Sequence, residues 1–372
     1  MNILVIGNGF DIAHGLKTSY YDFITQIKSI KNDSYDFVQL NKDFEYDKAN
    51  DQEIRQKFEE LKKITYSNLF LNHFIRSEEI ENNSWCGIED EIERVINAWI
   101  SILNVIDERG FFTDCNKENE FIIKSFSSVL DKIFSDTTSK SGTVTYHLHE
   151  VDQRGRIKSS LFDRLRREFD GMIRAFELYL ELFVETKQPQ KCFDMTKIHP
   201  KLIVDFNYTS TSKIYDDIET KFIHGKTGSN NMVMGMNVYG EDYDKRFVYF
   251  MKFFQRIQHK NDILKVNDLI ELVDTRELEW PINKKPRSLQ NVYFIGHSMS
   301  NADGDIIRLL KSSVIDYENF QIESRFIIYC YNQGDYEQKV INLFEVFGKD
   351  KTIQMIYDKE IIFKALDTIK LK

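Results

Sequence analysis

Four prolines and 16 glycines are few for 372 residues, and they leave little of the chain for free linkers. Long apolar runs are missing as well. No stretch approaches the roughly 18 apolar residues of a membrane-spanning helix. Asp11 interrupts the only apolar run near the N-terminus, which argues against a secretion signal. Cys86, Cys115, Cys192 and Cys330 are scattered without a C-x-x-C pair, which speaks against structural zinc and against a disulfide framework. A reducing cytoplasm is the expected compartment. Positive charge is also in deficit: the formal net charge of −9 gives no general attraction to nucleic acid. What is plentiful is aromatic: 29 Phe and 18 Tyr imply a ring-rich core. The length suffices for two cores, or for one core carrying a large insertion.

The chain opens with Asn2-Ile3-Leu4-Val5-Ile6, an apolar run of strand character, broken at once by Gly7 and Gly9. Such a run reads as a strand buried on both faces inside a parallel sheet. Glycines at its carboxyl end allow a tight turn and a close approach of backbone to ligand, with N–H groups facing a bound phosphate. The dinucleotide fingerprint is only partly met, because Ile12 holds the third glycine position. Asp11 would repel a phosphate unless it caps the helix or holds a ribose hydroxyl. His14 and Gly15 are expected to close a short helix, with Gly15 in a left-handed cap.

Ser19-Tyr20-Tyr21-Asp22 matches a capping box and starts a helix running to about Ile30. The polar stretch 31–51 reads as a loop. Helical spacing follows in Phe58, Leu61, Ile64, Leu69 and Phe74, then in Ile88, Ile92, Val95, Ile96, Trp99, Leu103 and Ile106, and again over 161–184. Residues 135–155, rich in Ser, Thr and Gly, read as an exposed loop or short hairpin. Strands return at Leu202-Ile203-Val204-Asp205-Phe206, Lys221-Phe222-Ile223, Met232-Val233-Met234, Val292-Tyr293-Phe294-Ile295 and Arg325-Phe326-Ile327-Ile328-Tyr329, with helices over 303–311 and 337–347. Alternating strands and helices imply an α/β fold: a doubly wound, mostly parallel, Rossmann-like sheet with a large α-helical insertion. Residues 1–30 and 198–372 would form the nucleotide-binding core, and 31–197 a helical insertion acting as a lid.

In open parallel sheets, ligands bind beyond the carboxyl ends of the strands. Strand one delivers Gly7, Asn8, Gly9, Phe10 and Asp11 to that rim, and the Leu202 strand delivers Asn207, Tyr208 and Thr209. The Phe222 strand brings His224 and Gly225; the Val292 strand brings Gly296, His297 and Ser298, then Asp303 and Asp305. Each has a plainer alternative. Asn207 can cap a helix near Thr209, His224 can be a turn residue, and His297 and Ser298 can cap the helix near Asp303. Lys252 and Arg256 share a helical face from which they would reach an anionic ligand. No G-x-S-x-G elbow exists to support a serine triad.

The opening Ile6-Gly7-Asn8-Gly9-Phe10-Asp11-Ile12-Ala13-His14-Gly15-Leu16, followed by Thr18-Ser19-Tyr20, resembles the signature of the AbiH-type bacterial abortive-infection family. Trp85-Cys86-Gly87-Ile88-Glu89, Phe206-Asn207-Tyr208-Thr209, Phe253-Phe254-Gln255-Arg256-Ile257, Ile223-His224-Gly225 and Ile295-Gly296-His297-Ser298-Met299-Ser300 fit as well; Lys17 departs from the family's usual proline. The resemblance implies phage defence. More distantly, the same elements look sirtuin-like, and that likeness implies NAD bound as substrate without a metal. By it, Asn207 would position the ribose or the attacking water, and His224 would act as base. Gly7, Asn8, Gly9, Phe10, Thr209, Gly225, Gly296, His297, Ser298 and Asp303 would surround the dinucleotide. The zinc-binding cysteine pairs of the deacetylases are absent and Thr209 stands where an aspartate is expected, which leaves hydrolysis of NAD to nicotinamide and ADP-ribose. Asp11 would stabilise the positive charge developing on the ribose. Trp85 and Glu89 are the lid's candidate contributions, or a packing anchor and a helix-start charge.

Two rival readings stand beside the hydrolase: a nucleotide-binding sensor or assembly module without turnover, and a metal-dependent nuclease or nucleotide-processing enzyme using Asp11, Asp303 and Asp305. The partners expected are NAD or a related adenine nucleotide, a phage-derived trigger and a second copy of the chain, with neither membrane nor nucleic acid among them.

Overall fold

The computed structural model describes residues 2–44, 51–76, 87–109, 111–113, 125–126, 134–138, 144–148, 156–215, 218–236, 244–261, 287–311 and 321–371. Strand β1 (Asn2–Ile6) runs directly into helix α1 (Asn8–Ala13), which ends at Gly15 in the left-handed region (φ +78°). Ser19 then caps α2 (Tyr20–Lys31): its hydroxyl oxygen accepts the Asp22 N–H at 3.1 Å. The stretch expected as a loop contains α3 (Phe37–Phe44), whose buried Phe37 and Leu40 supply too short an apolar stripe to stand out in the sequence. The next helical region is two helices, α4 (Asp51–Ser67) and α5 (Leu69–Arg76), because Asn68 accepts the Leu71 N–H and caps the second.

Helix α6 (Gly87–Arg109) follows, with Ile88, Ile92, Val95, Ile96, Trp99 and Leu103 buried as the periodicity requires. Trp85, Cys86 and Cys115 lie outside the described residues. Three short strands, β2 (Phe111–Thr113), β3 (Phe134–Thr138) and β4 (Val144–Leu148), pair antiparallel in the order β2-β4-β3, the hairpin alternative for this region. Helix α7 (Arg156–Tyr179) ends in a π-turn, Leu180–Val184.

Beyond it come β5 (Leu202–Asp205), β6 (Glu219–Phe222), α8 (Lys252–His259), β7 (Arg287–Ile295), α9 (Gly304–Lys311), β8 (Gln321–Cys330), α10 (Gln333–Phe347), α11 (Lys349–Tyr357) and β9 (Ile361–Ala365). The last two elements were not anticipated. Met232-Val233-Met234 is buried but is not a strand: tight turns at Gly225 and Gly228 precede it, and Gly235 (φ +151°) follows. Its backbone is satisfied singly, the Val233 N–H by the His224 carbonyl and the Val233 carbonyl by the Tyr208 hydroxyl, both at 2.8 Å.

The chain divides into two compact units. One comprises residues 1–18, 187–233 and 256–372; the other comprises 19–186 and 234–255. The first contains the six-stranded sheet, all parallel, in the order β6-β5-β1-β7-β8-β9. Numbered within that unit the order is 3-2-1-4-5-6, that of Rossmann-like doubly wound sheets, with β1 at the point where connections diverge. Alternation along β1 sends Ile3 and Val5 into one core, with α9, α10 and α11, and Leu4 and Ile6 into the other, with Phe10, Phe193 and Ile198. Burial on both faces explains why the central strands are uninterrupted apolar runs. The second unit is helical around Phe70, Phe74, Trp99, Phe126, Phe169 and Phe176, with the three-stranded sheet appended.

Candidate active site

Register levels the carboxyl ends of four neighbouring strands. Ile6 pairs with both Asp205 and Ile295, and Asp205 pairs with Phe222. Two residues beyond this line stand Asn8, Asn207, His224 and His297, one from each strand. Residues far apart in sequence therefore reach one edge at the same height.

The glycines hold this edge together. A Cβ on Gly7 would lie 2.8 Å from the Gly296 carbonyl oxygen and from His297 Cα; on Gly9 it would lie 2.8 Å from Gly296 Cα. Gly296 itself has φ +66°, and a Cβ there would sit 2.1 Å from the Phe10 nitrogen. The close approach expected between backbone and ligand is thus between two backbones. The amides expected to face a phosphate are taken up too. Gly7 N–H donates to the Ile295 carbonyl at 3.1 Å, Gly9 N–H to Gly296 at 2.9 Å and Phe10 N–H to Gly7 at 2.8 Å. Phe10 is fully buried, its ring 5.5 Å from Phe193 and 4.4 Å from His14, so it packs in the core and offers no ligand a stacking face.

His14 is equally engaged. Its Nδ1–H donates to the Phe10 carbonyl and its Nε2 accepts the Tyr215 hydroxyl, both at 2.7 Å, while the Tyr215 oxygen accepts the N–H groups of Cys192 and Phe193 at 2.9 Å. Burial lowers its pKa below the usual 6.5, partly offset by the Phe10 carbonyl.

At the ends of β1 and β5, Asp11 (1% exposed) accepts Thr209 Oγ1–H at 2.6 Å and Asn207 Nδ2–H at 3.3 Å. Asp205, fully buried, accepts the Asn207 backbone N–H at 2.8 Å and the Ser212 hydroxyl at 3.1 Å. Desolvation, reinforced by the like charge of Asp11, raises the Asp205 pKa well above the usual carboxyl value. Two amides are half used: Asn207 Oδ1 and Asn8 Nδ2 are buried without partners, although Thr18 donates to Asn8 Oδ1. An orphaned buried polar atom costs about 1–3 kcal/mol, which a water or a ligand group bonded there would relieve.

At the ends of β6 and β7, His224 Nε2–H donates to Asp303 Oδ1 at 2.9 Å, and His297 Nε2 lies 3.8 Å from Asp303 Oδ2. The Phe206 ring packs against both imidazoles, at 5.2 and 4.4 Å, and so links this group to the Asn207 turn. His224 Nδ1 makes no bond to the protein. An imidazole held at one nitrogen by a carboxylate and open at the other has the arrangement of a general base. His297 Nδ1 accepts the Met299 N–H at 3.0 Å and Ser298 Oγ accepts the Ser300 N–H at 3.3 Å, so both organise their own turn. Gly225 (φ +80°) closes the turn after His224, where a Cβ would meet the Asn231 carbonyl oxygen at 2.1 Å.

The expected basic pair is neutralised. Lys252, 1% exposed, bonds Glu89 at 2.7 Å within the helical unit, and Arg256, 3% exposed, pairs with Asp305 within the sheet unit. Glu89 also accepts the Tyr20 hydroxyl at 3.4 Å and stands in the first turn of α6, the place of a helix-start charge. Asp11, Asp303 and Asp305 are held by different partners, and among the described residues no group of three His, Cys, Asp or Glu side chains is arranged to hold a metal ion. Among those residues, no helix is long and apolar enough to cross a membrane. Asp205 escaped sequence reasoning; the signal was an acid closing an otherwise wholly apolar buried strand.

A model of the bacteriophage abortive infection AbiH family matches residues 3–320. The chain belongs to this family. Membership gives this AbiH-family chain a role in phage abortive infection and leaves its chemistry to be argued from the site. No curated protein matches it, and no solved structure does.

Proposed function

We propose that the protein is an NAD hydrolase acting in abortive infection, cleaving NAD to nicotinamide and ADP-ribose. What supports this most is the His224–Asp303 pair, open at Nδ1, level with the Asn207–Asp11 pair on neighbouring strands of a Rossmann-like sheet. The bond between C1′ and the nicotinamide nitrogen breaks with its electrons passing to the ring, which loses its positive charge. Asp11 stabilises the cationic ribose. His224 Nδ1 takes the proton of the attacking water, whose oxygen bonds to C1′, and Asp303 holds the imidazole in position. Asn207 positions the ribose or the water.

The test is nicotinamide release from NAD, by purified protein and in cells during phage infection. His224→Ala is expected to lower the rate about 10²–10⁴-fold, as for loss of a general base, and Asn207→Ala to lower it as well. No release in either setting, or variants equal to wild type, overturns the proposal.

A further inference from the structure

Arg256 and Asp305, both of the sheet unit, are matched in charge but not in hydrogen bonds. A guanidinium and a carboxylate commonly meet fork to fork, through two parallel bonds. Here a single bond forms, from Arg256 Nη2 to Asp305 Oδ2. Arg256 Nη1 and Asp305 Oδ1 are buried without a partner. One ion pair therefore carries both an open donor and an open acceptor. Asn261, just past the end of α8, adds a second open acceptor. Its backbone N–H donates to the Arg256 carbonyl at 3.1 Å and its Nδ2 to the Asn231 carbonyl at 3.0 Å, which leaves Oδ1 over.

The two open atoms of the pair set the chemistry of what fits them. A phosphate or carboxylate would serve Nη1 but has no N–H to give Oδ1, and an ammonium would do the reverse. Both are satisfied by a neutral group with an acceptor beside an N–H donor. A carboxamide has that edge, and so has an aminopurine. The place is next to the proposed base: Asp305 follows Asp303, the partner of His224, across Gly304 at the start of α9.

We propose that the Arg256–Asp305 pair is a specificity subsite that reads such an amide-like edge of the nucleotide. Arg256 Nη1 donates to the acceptor of that edge, and Asp305 Oδ1 accepts its N–H. A site whose buried polar atoms are completed by the ligand rejects an analogue that leaves them unpaired. The inference rests on the NAD reading and goes beyond it by naming residues that select the substrate. NAD carries two such edges, the nicotinamide carboxamide and the amino edge of adenine.

The experiment is calorimetric titration of the full chain, carrying His224→Ala so that the dinucleotide stays intact. The probes are NAD, its nicotinic acid analogue and its hypoxanthine analogue. The first analogue replaces the carboxamide by a carboxylate; the second exchanges donor and acceptor on the base. The analogue altered at the edge that is read is expected to bind at least about tenfold more weakly than NAD, the worth of one hydrogen bond. Arg256→Lys keeps a cation beside Asp305 but loses the fork. It is expected to close that gap alone while retaining the circular dichroism of the parent, and the gap it closes identifies the edge. Asp305→Asn offers an N–H in place of the open oxygen, and is expected to narrow or invert the same gap. Equal binding of the three dinucleotides, no binding of NAD, or a gap that survives both substitutions overturns the inference. A gap closed by Arg256→Lys, without nicotinamide release by the chain that retains His224, would end the hydrolase reading and leave the subsite. Nicotinamide release with equal binding of the three would do the opposite.

Discussion

The helical unit and the strand ends of the sheet unit bury charge in opposite ways. In the helical unit, buried acids come with partners: Glu89 with Lys252 at 2.7 Å, and Glu91 with His73 at 2.6 Å and Arg94 at 2.8 Å. At the strand ends of the sheet unit, Asp205 is fully buried, desolvated and next to the like charge of Asp11, whereas Arg256 and Asp305 of the same unit pair as the helical residues do. Matched pairs settle the desolvation of each partner and fix helix positions. A like-signed pair does neither, and such pairs cluster at functional sites. The helical pairs therefore read as structure, and the strand ends as a site.

The most severe way to break this contrast is to disturb the turn that aligns the strand ends. Gly296→Ala places a Cβ 2.1 Å from the Phe10 nitrogen at φ +66°. It is expected to destabilise the sheet unit by about 2–5 kcal/mol, summing the left-handed conformation and overpacking, which denaturant titration will measure. Next, Lys252→Met strands Glu89 without its cation and is expected to cost about 3 kcal/mol. Adding Glu89→Gln should recover most of that loss, as double-mutant analysis of thermal or denaturant unfolding would register.

Asp205→Asn is expected to act in the other direction. Its folded pKa is raised, so the folded state holds a proton that the unfolded state has released, and stability falls as pH climbs above the ordinary carboxyl range toward the raised value. The variant should then melt higher than wild type at neutral pH, with the gap closing in acid; equal melting temperatures across pH would refute the like-charge account. The smallest effect belongs to His14. Its folded pKa is lowered, so the unfolded state takes up a proton first and stability falls as pH drops below 6.5. His14→Gln should remove that component of the pH dependence of melting.

Much of this architecture was legible along the chain. The apolar strands, the capping box at Ser19, the left-handed Gly15 and the long helices answer to local rules that need only neighbouring residues. Failures fell where locality fails. Helix α3 has only two buried anchors, the Met232 segment is apolar without being paired, and Gly7 and Gly9 look like a phosphate loop because a glycine's neighbour in space is not written beside it.

By itself, then, the sequence determined the run of elements, the burial of β1 on both faces, the family and the residue types offered at each strand end. Only the tertiary structure decided that Gly296 fills the space between Gly7 and Gly9, that Asp303 holds His224, that Asp305 and Glu89 neutralise the two basic residues, and that Asp205 lies beside Asp11. The reason is register. Strands nearly two hundred residues apart are brought level by packing on both faces of the sheet, and no local preference encodes which side chains then meet.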